Sequence, residues 1–162
     1  MNCDCTKYAP LELIREAITK RIKETPDLKK RLVLLSKNDT HDLDLYRCPA
    51  CSQFWQTGHE WNFGNKEYIF QVPHIELEEW TKEPYAQPAA MLIYSAVMQD
   101  FMARNKFEAS ENACKATDCR EYAVKMSTFC LKHHIDSLQK ARLLPPSPAG
   151  RMFAPYHFAT TT

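Results

Sequence analysis

The stretch LDLYRCPAC, residues 43 to 51, runs from a strand pattern directly into a pair of cysteines. Leu43 and Leu45 alternate with polar residues as far as Arg47, as the residues of a half-buried β-strand do. The chain then reaches Cys48-Pro49-Ala50-Cys51, where the proline favours a tight turn that aims both thiols to the same side. This stretch predicts a strand that ends in a compact loop with two side chains able to bind one metal ion.

A second strand pair is expected after this loop. One turn is predicted at Gly58 and another at Asn62-Phe63-Gly64-Asn65. Alternate residues of the segment 66 to 72 are apolar or aromatic, so they share one face of a strand. They are Tyr68, Phe70 and Val72. The pattern predicts a hairpin with one aromatic face, and hence a small antiparallel sheet between residues 43 and 72.

Helical periodicity accounts for most of the remaining chain. Apolar residues recur every three or four positions in residues 11 to 24 and again in residues 26 to 37, where the proline at position 26 suits the first turn of a helix. These two helices are predicted to form a helical hairpin. Residues 89 to 105 contain no helix breaker, and a last helix is expected from about Cys130 to Leu144. The apolar face of the 89–105 helix is predicted to comprise Leu92, Ile93, Ala96, Val97 and Phe101.

A second group of metal-binding residue types lies near the C-terminal end. Cys114, Cys119, Cys130 and His133 follow the spacing C-x4-C-x10-C-x2-H, which supplies four ligands suited to a tetrahedral Zn²⁺. A cysteine at the start of a helix and a histidine three residues later point to the same side. His134 is almost equivalent in geometry, so the sequence leaves open which histidine is the ligand.

The segment ACKATDCREYAVKMSTFCLKHH, residues 113 to 134, resembles a small zinc module found with phage and bacterial HNH-type endonucleases. By that resemblance Cys114, Cys119, Cys130 and His133 would be metal ligands. The ten residues between Cys119 and Cys130 are more than is usual for the module, and the rest of the chain shows no nuclease signature. The resemblance therefore implies metal binding and not DNA cleavage.

The other cysteines suggest a second site. The loop from Cys48 to Cys51 resembles a zinc knuckle, which needs two further ligands. Cys3 and Cys5 are the cysteines left unassigned, and with them seven cysteines and one histidine fill two sites of four ligands. Histidines elsewhere in the chain are alternatives to this pair: His41, His59 and His74.

Two other uses of the cysteines are less favoured. A redox dithiol at Cys48 and Cys51 would require a long helix after the motif, and Gly58 interrupts it. Disulfides are disfavoured because the number of cysteines is odd, at seven, and because the first residues lack the pattern of a secretion signal. The sequence therefore predicts two Zn²⁺ ions and a reducing, cytoplasmic location.

Composition limits the class of protein. The chain has 162 residues, of which 44% are hydrophobic and 25% charged, and no apolar run is long enough to span a membrane. Only three glycines occur, too few for a dinucleotide-binding fingerprint or a phosphate-binding loop.

We expect an α+β fold with one domain over residues 1 to 144, built from a small antiparallel sheet, several helices and one or two structural zinc sites. A proline-rich and aromatic extension, residues 145 to 162, is expected to pack in extended form against this core or a partner.

Charge suggests where a partner would bind. Residues 41 to 100 carry six more acidic than basic side chains, although the whole chain has a net charge of +1. The connector, residues 73 to 90, places four glutamates around Trp80, which suits a docking surface for a basic protein. In the alternative, Trp80 packs inside its own domain.

Function is inferred from these features together. Filled metal shells and the lack of a paired acid and base favour a non-enzymatic protein that acts through protein–protein interaction. A weak resemblance of the whole chain to bacterial zinc-containing immunity-type proteins implies an inhibitor, an adaptor or a toxin-immunity protein. No membrane partner is expected. Nucleic-acid binding is the alternative, through basic residues of the second cysteine segment: Lys115, Arg120, Lys125, Lys132, Lys140 and Arg142.

Overall fold

A computed structural model describes residues 3–8, 15–60 and 64–154, with Glu60 described by its backbone alone. Within them a four-stranded antiparallel sheet, a two-stranded ribbon and four α-helices confirm the predicted α+β class. The strands are β1 (Val33–Asn38), β2 (Leu43–Arg47), β3 (Phe54–Glu60), β4 (Lys66–Val72), β5 (Ala109–Ala113) and β6 (Tyr122–Val124). The helices are α1 (Arg15–Arg31), α2 (Leu77–Lys82), α3 (Pro88–Arg104) and α4 (Leu131–Lys140).

Some predictions fall outside the described residues. They concern the start of the first helix before residue 15, the turn at residues 62 and 63, and the tail after residue 154. The predicted strands at 43–47 and 66–72, and helices close to 89–105 and 130–144, are present.

The four strands of the sheet are neighbours in chain order, from β1 to β4. Tyr46 lies opposite Trp55, and Trp55 lies opposite Gln71. Because side chains alternate along a strand, this register places Phe54 and Phe70 on one face of the sheet and Trp55 on the other. Both faces are buried by other parts of the chain.

The first face of the sheet packs against α2. Leu45, Phe54 and Phe70 belong to the same buried cluster as Trp80. Trp80 is fully buried, and its Nε1 donates a hydrogen bond to Oε1 of Gln56 at 2.7 Å. Of the two predictions for Trp80, packing in its own core is therefore the correct one, and an exposed docking anchor is wrong.

The second face of the sheet packs against α1 and the first cysteines. Trp55 and Ile69 are fully buried there, in contact with Leu28 of α1. The same cluster includes Cys5 and Cys48. The sheet therefore provides the floor on which the first cysteine group is assembled.

The predicted helical hairpin is wrong. α1 continues through Pro26 to Arg31, and Val33–Asn38 forms strand β1 instead of a second helix. Pro26 cannot donate to the carbonyl of residue 22, and its ring crowds the same carbonyl, so the proline disfavours a continuous helix. Burial of Leu28 against the sheet holds the following turn in place. Tertiary packing outweighs the local preference for a break at the proline.

The predicted turn at Gly58 is also wrong. Gly58 lies inside β3, opposite Tyr68 of β4. The Gln87 side chain occupies the space that a Cβ at position 58 would need. Tyr68 donates from its hydroxyl to Oε1 of Gln87 at 3.0 Å. The glycine is therefore required for a close approach of Gln87 and not for a turn.

The chain forms two compact units. The first contains the sheet, with residues up to Leu92 and a returning segment from Pro148. In that segment Phe153 is buried, with its ring 5.1 Å from the ring of Tyr85. A bridge between Arg151 and Tyr85 shows that the segment is extended where it packs. The predicted domain boundary at residue 144 stays a prediction.

The second unit contains the ribbon, α4 and most of α3, with a core of Met98, Ile135 and Leu144. The predicted apolar face of α3 is wrong in part, because Ile93 and Val97 are 58% and 39% exposed. α3 is apolar on nearly every side, so its periodicity does not determine which side is buried.

Candidate metal centres

Four cysteines from distant parts of the chain meet on the second face of the sheet. We call them the first cluster: Cys3, Cys5, Cys48 and Cys51. The Cys48–Cys51 loop joins β2 to β3 and is closed by a hydrogen bond from Ser52 N to Cys48 O at 3.0 Å. Cys5 begins a short 3₁₀-helix, Cys5–Lys7, which brings the start of the chain to this loop.

The sulfur atoms of the first cluster are spaced for one tetrahedral ion. Cys3 Sγ lies 3.1 Å from Cys51 Sγ and 3.5 Å from Cys48 Sγ, and all four sulfurs are within 4.8 Å of one another. A tetrahedral ion with metal–sulfur bonds of about 2.3 Å holds its ligands about 3.8 Å apart. The cluster therefore matches the size of a four-thiolate site.

The loop prepares Cys48 to bind as a thiolate. Burial raises the pKa of Cys48, but backbone N–H groups of Cys51 and Ala50, followed by the Cys3 and Cys51 side chains, outweigh burial and lower the pKa to about 7. N–H groups directed at sulfur stabilise its negative charge. The same donors would stabilise a metal-bound thiolate.

Trp55 gives an independent indication that the site accommodates negative charge on sulfur. Its side chain is fully buried, and Nε1 has no hydrogen-bond partner among the described residues. Burial raises the pKa of the neighbouring Cys5 and the other three thiols add to this, whereas the Trp55 indole opposes it. An unpaired buried N–H costs about 1–3 kcal/mol. A Cys5 thiolate bound to a metal would supply the missing acceptor.

The second cluster lies in the other unit and consists of Cys114, Cys119, Cys130 and His133. Cys114 follows the end of β5, and its N–H donates to Glu121 O at 2.9 Å just before β6. Cys130 immediately precedes α4, whose first turn carries His133. The short ribbon and the helix terminus thus bring the four side chains together.

The geometry of the second cluster also distinguishes the two adjacent histidines. His133 Nδ1 lies 3.4 Å from Cys114 Sγ and 3.3 Å from Cys130 Sγ. His134 Nδ1 lies instead 3.2 Å from Ser127 Oγ. The structure therefore places His133, and not His134, in the ligand set that the sequence left open.

Cys114 is prepared for metal binding in the same way as Cys48. Burial raises the pKa of Cys114, but backbone N–H groups of Cys130 and Ala116, followed by the His133 and Cys119 side chains, lower it to about 6. Each cluster thus contains one cysteine whose thiolate is stabilised by backbone donors before any metal binds.

The three histidines considered as alternatives to Cys3 and Cys5 have other contacts. His41 Nδ1 is 3.0 Å from Asn38 Oδ1, and His59 Nε2 is 3.6 Å from Asp42 Oδ2. His74 stacks on Phe54, with 4.7 Å between ring centroids. All eight predicted ligands, by contrast, lie in the two clusters. For Trp55 the sequence predicts packing in the core or at a zinc site, but it does not identify Cys5 as a neighbour, since no pattern links a tryptophan to a cysteine fifty residues away.

No helix in the described part of the chain combines the length and apolar character needed to cross a membrane. No protein-family model, curated protein or solved structure matches this chain. The two clusters therefore have to be interpreted from their own geometry and chemistry.

Proposed function

We propose that this chain is a non-enzymatic protein in which two structural Zn²⁺ ions stabilise a surface for protein–protein interaction. The observation that supports this most is that each cluster supplies four cysteine or histidine ligands within 4.8 Å of one another. Zn²⁺ prefers this donor set, and four protein ligands leave no open position for a catalytic water. Thiolate ligation suits the reducing, cytoplasmic compartment expected from the sequence.

Each ion would connect short segments that bury few apolar side chains themselves. The first holds residues 3–8 against the sheet, and the second joins the β5–β6 ribbon to the start of α4. Binding free energy at such sites contributes directly to folding. Seven thiolates contribute seven negative charges and two ions four positive charges, so the net charge would change from +1 to −2.

Metal analysis tests the zinc proposal directly. Chain purified without chelator should contain two Zn²⁺ per molecule by elemental analysis. Cys48→Ser and Cys130→Ser should each leave one ion, because each removes a ligand from a different cluster. A ratio below one ion per chain in the unmodified protein would contradict the proposal.

The acidic helix α2 is the surface we propose for the partner. The exposed glutamates in this helix and at its two ends are Glu76, Glu78, Glu79 and Glu83. Leu77 is 42% exposed among them, whereas Trp80 is buried, so Leu77 takes the place of the apolar anchor. Carboxylates around an apolar contact attract a basic partner and raise its association rate. An inhibitor, an adaptor or a toxin-immunity protein would use a surface of this kind.

Charge reversal on α2 tests this surface. Glu76→Lys with Glu79→Lys should remove bound basic proteins from a native-lysate capture, quantified by mass spectrometry, because the attraction becomes repulsion. Glu108→Lys with Glu111→Lys is the matched control, since both residues are exposed and lie in the other unit. Equal capture by the α2 variant and the unmodified chain would contradict this assignment.

Nucleic-acid binding remains the second candidate, because the basic residues proposed for it are all exposed: Lys115, Arg120, Lys125, Lys132, Lys140 and Arg142. Acidic side chains are interspersed among them, and Lys125 is already paired with Glu108. Binding through phosphate contacts should weaken steeply as salt rises. Submicromolar, salt-sensitive binding to DNA or RNA would favour this function over protein interaction.

A further inference from the structure

We propose that the first cluster is an oxidation-sensitive zinc site, from which peroxide releases the ion by joining Cys3 to Cys51 in a disulfide. The proposal rests on the zinc occupancy proposed above. It adds that the first cluster is oxidised more readily than the second, and three observations support this difference.

The first observation is exposure. Cys51 is exposed and Cys3 is partly exposed. In the second cluster Cys114 and Cys130 are buried, and Cys119 is partly exposed. Oxidation of zinc-bound sulfur requires contact with the oxidant. Cys51 is therefore the cysteine of the two clusters that a soluble oxidant reaches most readily.

The second observation is the distance between the two sulfurs. Cys3 Sγ and Cys51 Sγ are 3.1 Å apart, whereas Cys119 Sγ and Cys130 Sγ in the second cluster are 3.8 Å apart. A disulfide bond is about 2.05 Å long. The Cys3–Cys51 pair thus needs a movement of about 1 Å from this separation, or about 1.8 Å from the spacing that a bound tetrahedral ion would impose, and Cys51 lies in an exposed turn that can supply it.

The third observation is a cavity of about 280 Å³ beside the first cluster. Its walls include Cys3, Cys5 and Cys48 as well as Tyr8 and Trp55. Hydrogen peroxide is not much larger than water, so a cavity of this volume has room to admit it. Peroxide can thus reach the sulfur atoms of the first cluster through the cavity as well as from solvent at Cys51.

The reaction balances with hydrogen peroxide as the oxidant. The Cys51 thiolate attacks one peroxide oxygen, the O–O bond breaks, and the departing hydroxide takes a proton to become water. The Cys3 thiolate then attacks the sulfenic acid at Cys51, forming the S–S bond and releasing a second hydroxide, which is also protonated. Two thiolates lose two electrons, and peroxide with two protons gives two waters. Zn²⁺ keeps only Cys5 and Cys48 as protein ligands, too few for a structural site.

Zinc release under peroxide tests the proposal. The full chain, loaded with two Zn²⁺, is treated with hydrogen peroxide beside a chromogenic zinc chelator, and disulfides are mapped by mass spectrometry. One ion should be released at least about tenfold faster than the other, together with a Cys3–Cys51 disulfide. Met126, which is fully exposed, records the oxidant dose as its sulfoxide.

Histidine variants supply the control. Cys3→His keeps a fourth ligand but cannot form the disulfide, so its first-cluster ion should resist peroxide. Cys119→His changes the second cluster in the same way and should leave the fast release unchanged. Formation of Met126 sulfoxide while both ions stay bound, or earlier release from the second cluster, would overturn the proposal. A chain that holds fewer than two ions before peroxide is added would instead contradict the zinc proposal itself.

Discussion

Two neighbouring histidines show how a single residue position decides which side chain joins a cysteine cluster. His133 and His134 both lie in the first turn of α4, and both Nδ1 atoms have a polar neighbour. Only the Nδ1 of His133 contacts the cysteine sulfurs, while His134 contacts Ser127. The difference follows from one step of about 100° around the helix.

We expect His133→Asn and His134→Asn to differ sharply in zinc content. The first removes a ligand and should leave one ion after dialysis against a moderate chelator, with an affinity loss of at least about tenfold at the second cluster. The second removes only the contact with Ser127 and should leave two ions. Elemental analysis of both variants gives the comparison. Loss of zinc from the His134 variant alone would show that His134 is the ligand.

Sequence spacing alone could not separate these two histidines. Positions three and four residues after Cys130 both fall on its side of the helix. The choice depends on Ser127 and on Phe107, whose ring lies 5.9 Å from that of His134. The cysteines are simpler to predict as ligands, because cysteines placed close together in a chain of this composition have few roles other than metal binding.

At the scale of elements, α1 covers an edge of the sheet. Among the described strands β4 pairs only with β3, so its outer backbone groups need other partners. Arg21 Nη1 donates to Ile69 O at 3.1 Å, and Ile69 N donates to Thr25 Oγ1 at 3.1 Å. The helix thus satisfies both backbone groups of a central β4 residue and prevents another strand from pairing there.

Thr25→Val should destabilise the chain by about 1–3 kcal/mol, because the buried N–H of Ile69 loses its acceptor. Thr19→Val is a matched control in the same helix. Thr19 Oγ1 donates to Arg15 O at 2.9 Å, as Thr25 Oγ1 donates to Arg21 O at 2.8 Å, but among the described residues no hydrogen bond joins Thr19 to the sheet. Its cost should stay within about 0.5 kcal/mol. Urea unfolding measures both, and equal losses would show that the β4 contact contributes nothing.

The sequence predicts those elements in which apolar residues recur at a regular spacing. It fails where tertiary packing determines the secondary structure. Strand β2 and helix α4 are predicted correctly, because the spacing of their apolar residues and the residues that end each element indicate the same structure. The stretch at Val33–Asn38 fits the pattern of a helix that starts at Pro26, because leucines recur three and four residues apart, yet it forms strand β1. β5 and β6 were missed, since the segments ASENA and YAV are short and β5 carries no alternating apolar pattern.

At the scale of the molecule, the two clusters fall in different compact units. Tryptophans occur at positions 55, 61 and 80, and the two that the structure describes, Trp55 and Trp80, belong to the first unit. Trp55 also lies in the buried group that contains Cys5 and Cys48. The emission of Trp55 and Trp80 therefore reports on the first unit and its cysteine cluster, and hydrogen exchange in α4 reports on the second unit.

Loss of either ion should therefore destabilise mainly the unit that contains its cluster. Cys48→Ser should shift Trp emission to longer wavelength and lower the urea midpoint detected by fluorescence, because the site that holds residues 3–8 near Trp55 loses a ligand. Cys130→Ser should leave that midpoint unchanged but remove hydrogen-exchange protection from α4, whose first turn is fixed by the second cluster. If Cys130→Ser lowers the fluorescence midpoint as much as Cys48→Ser, the two units unfold as one cooperative structure and each ion stabilises the whole chain.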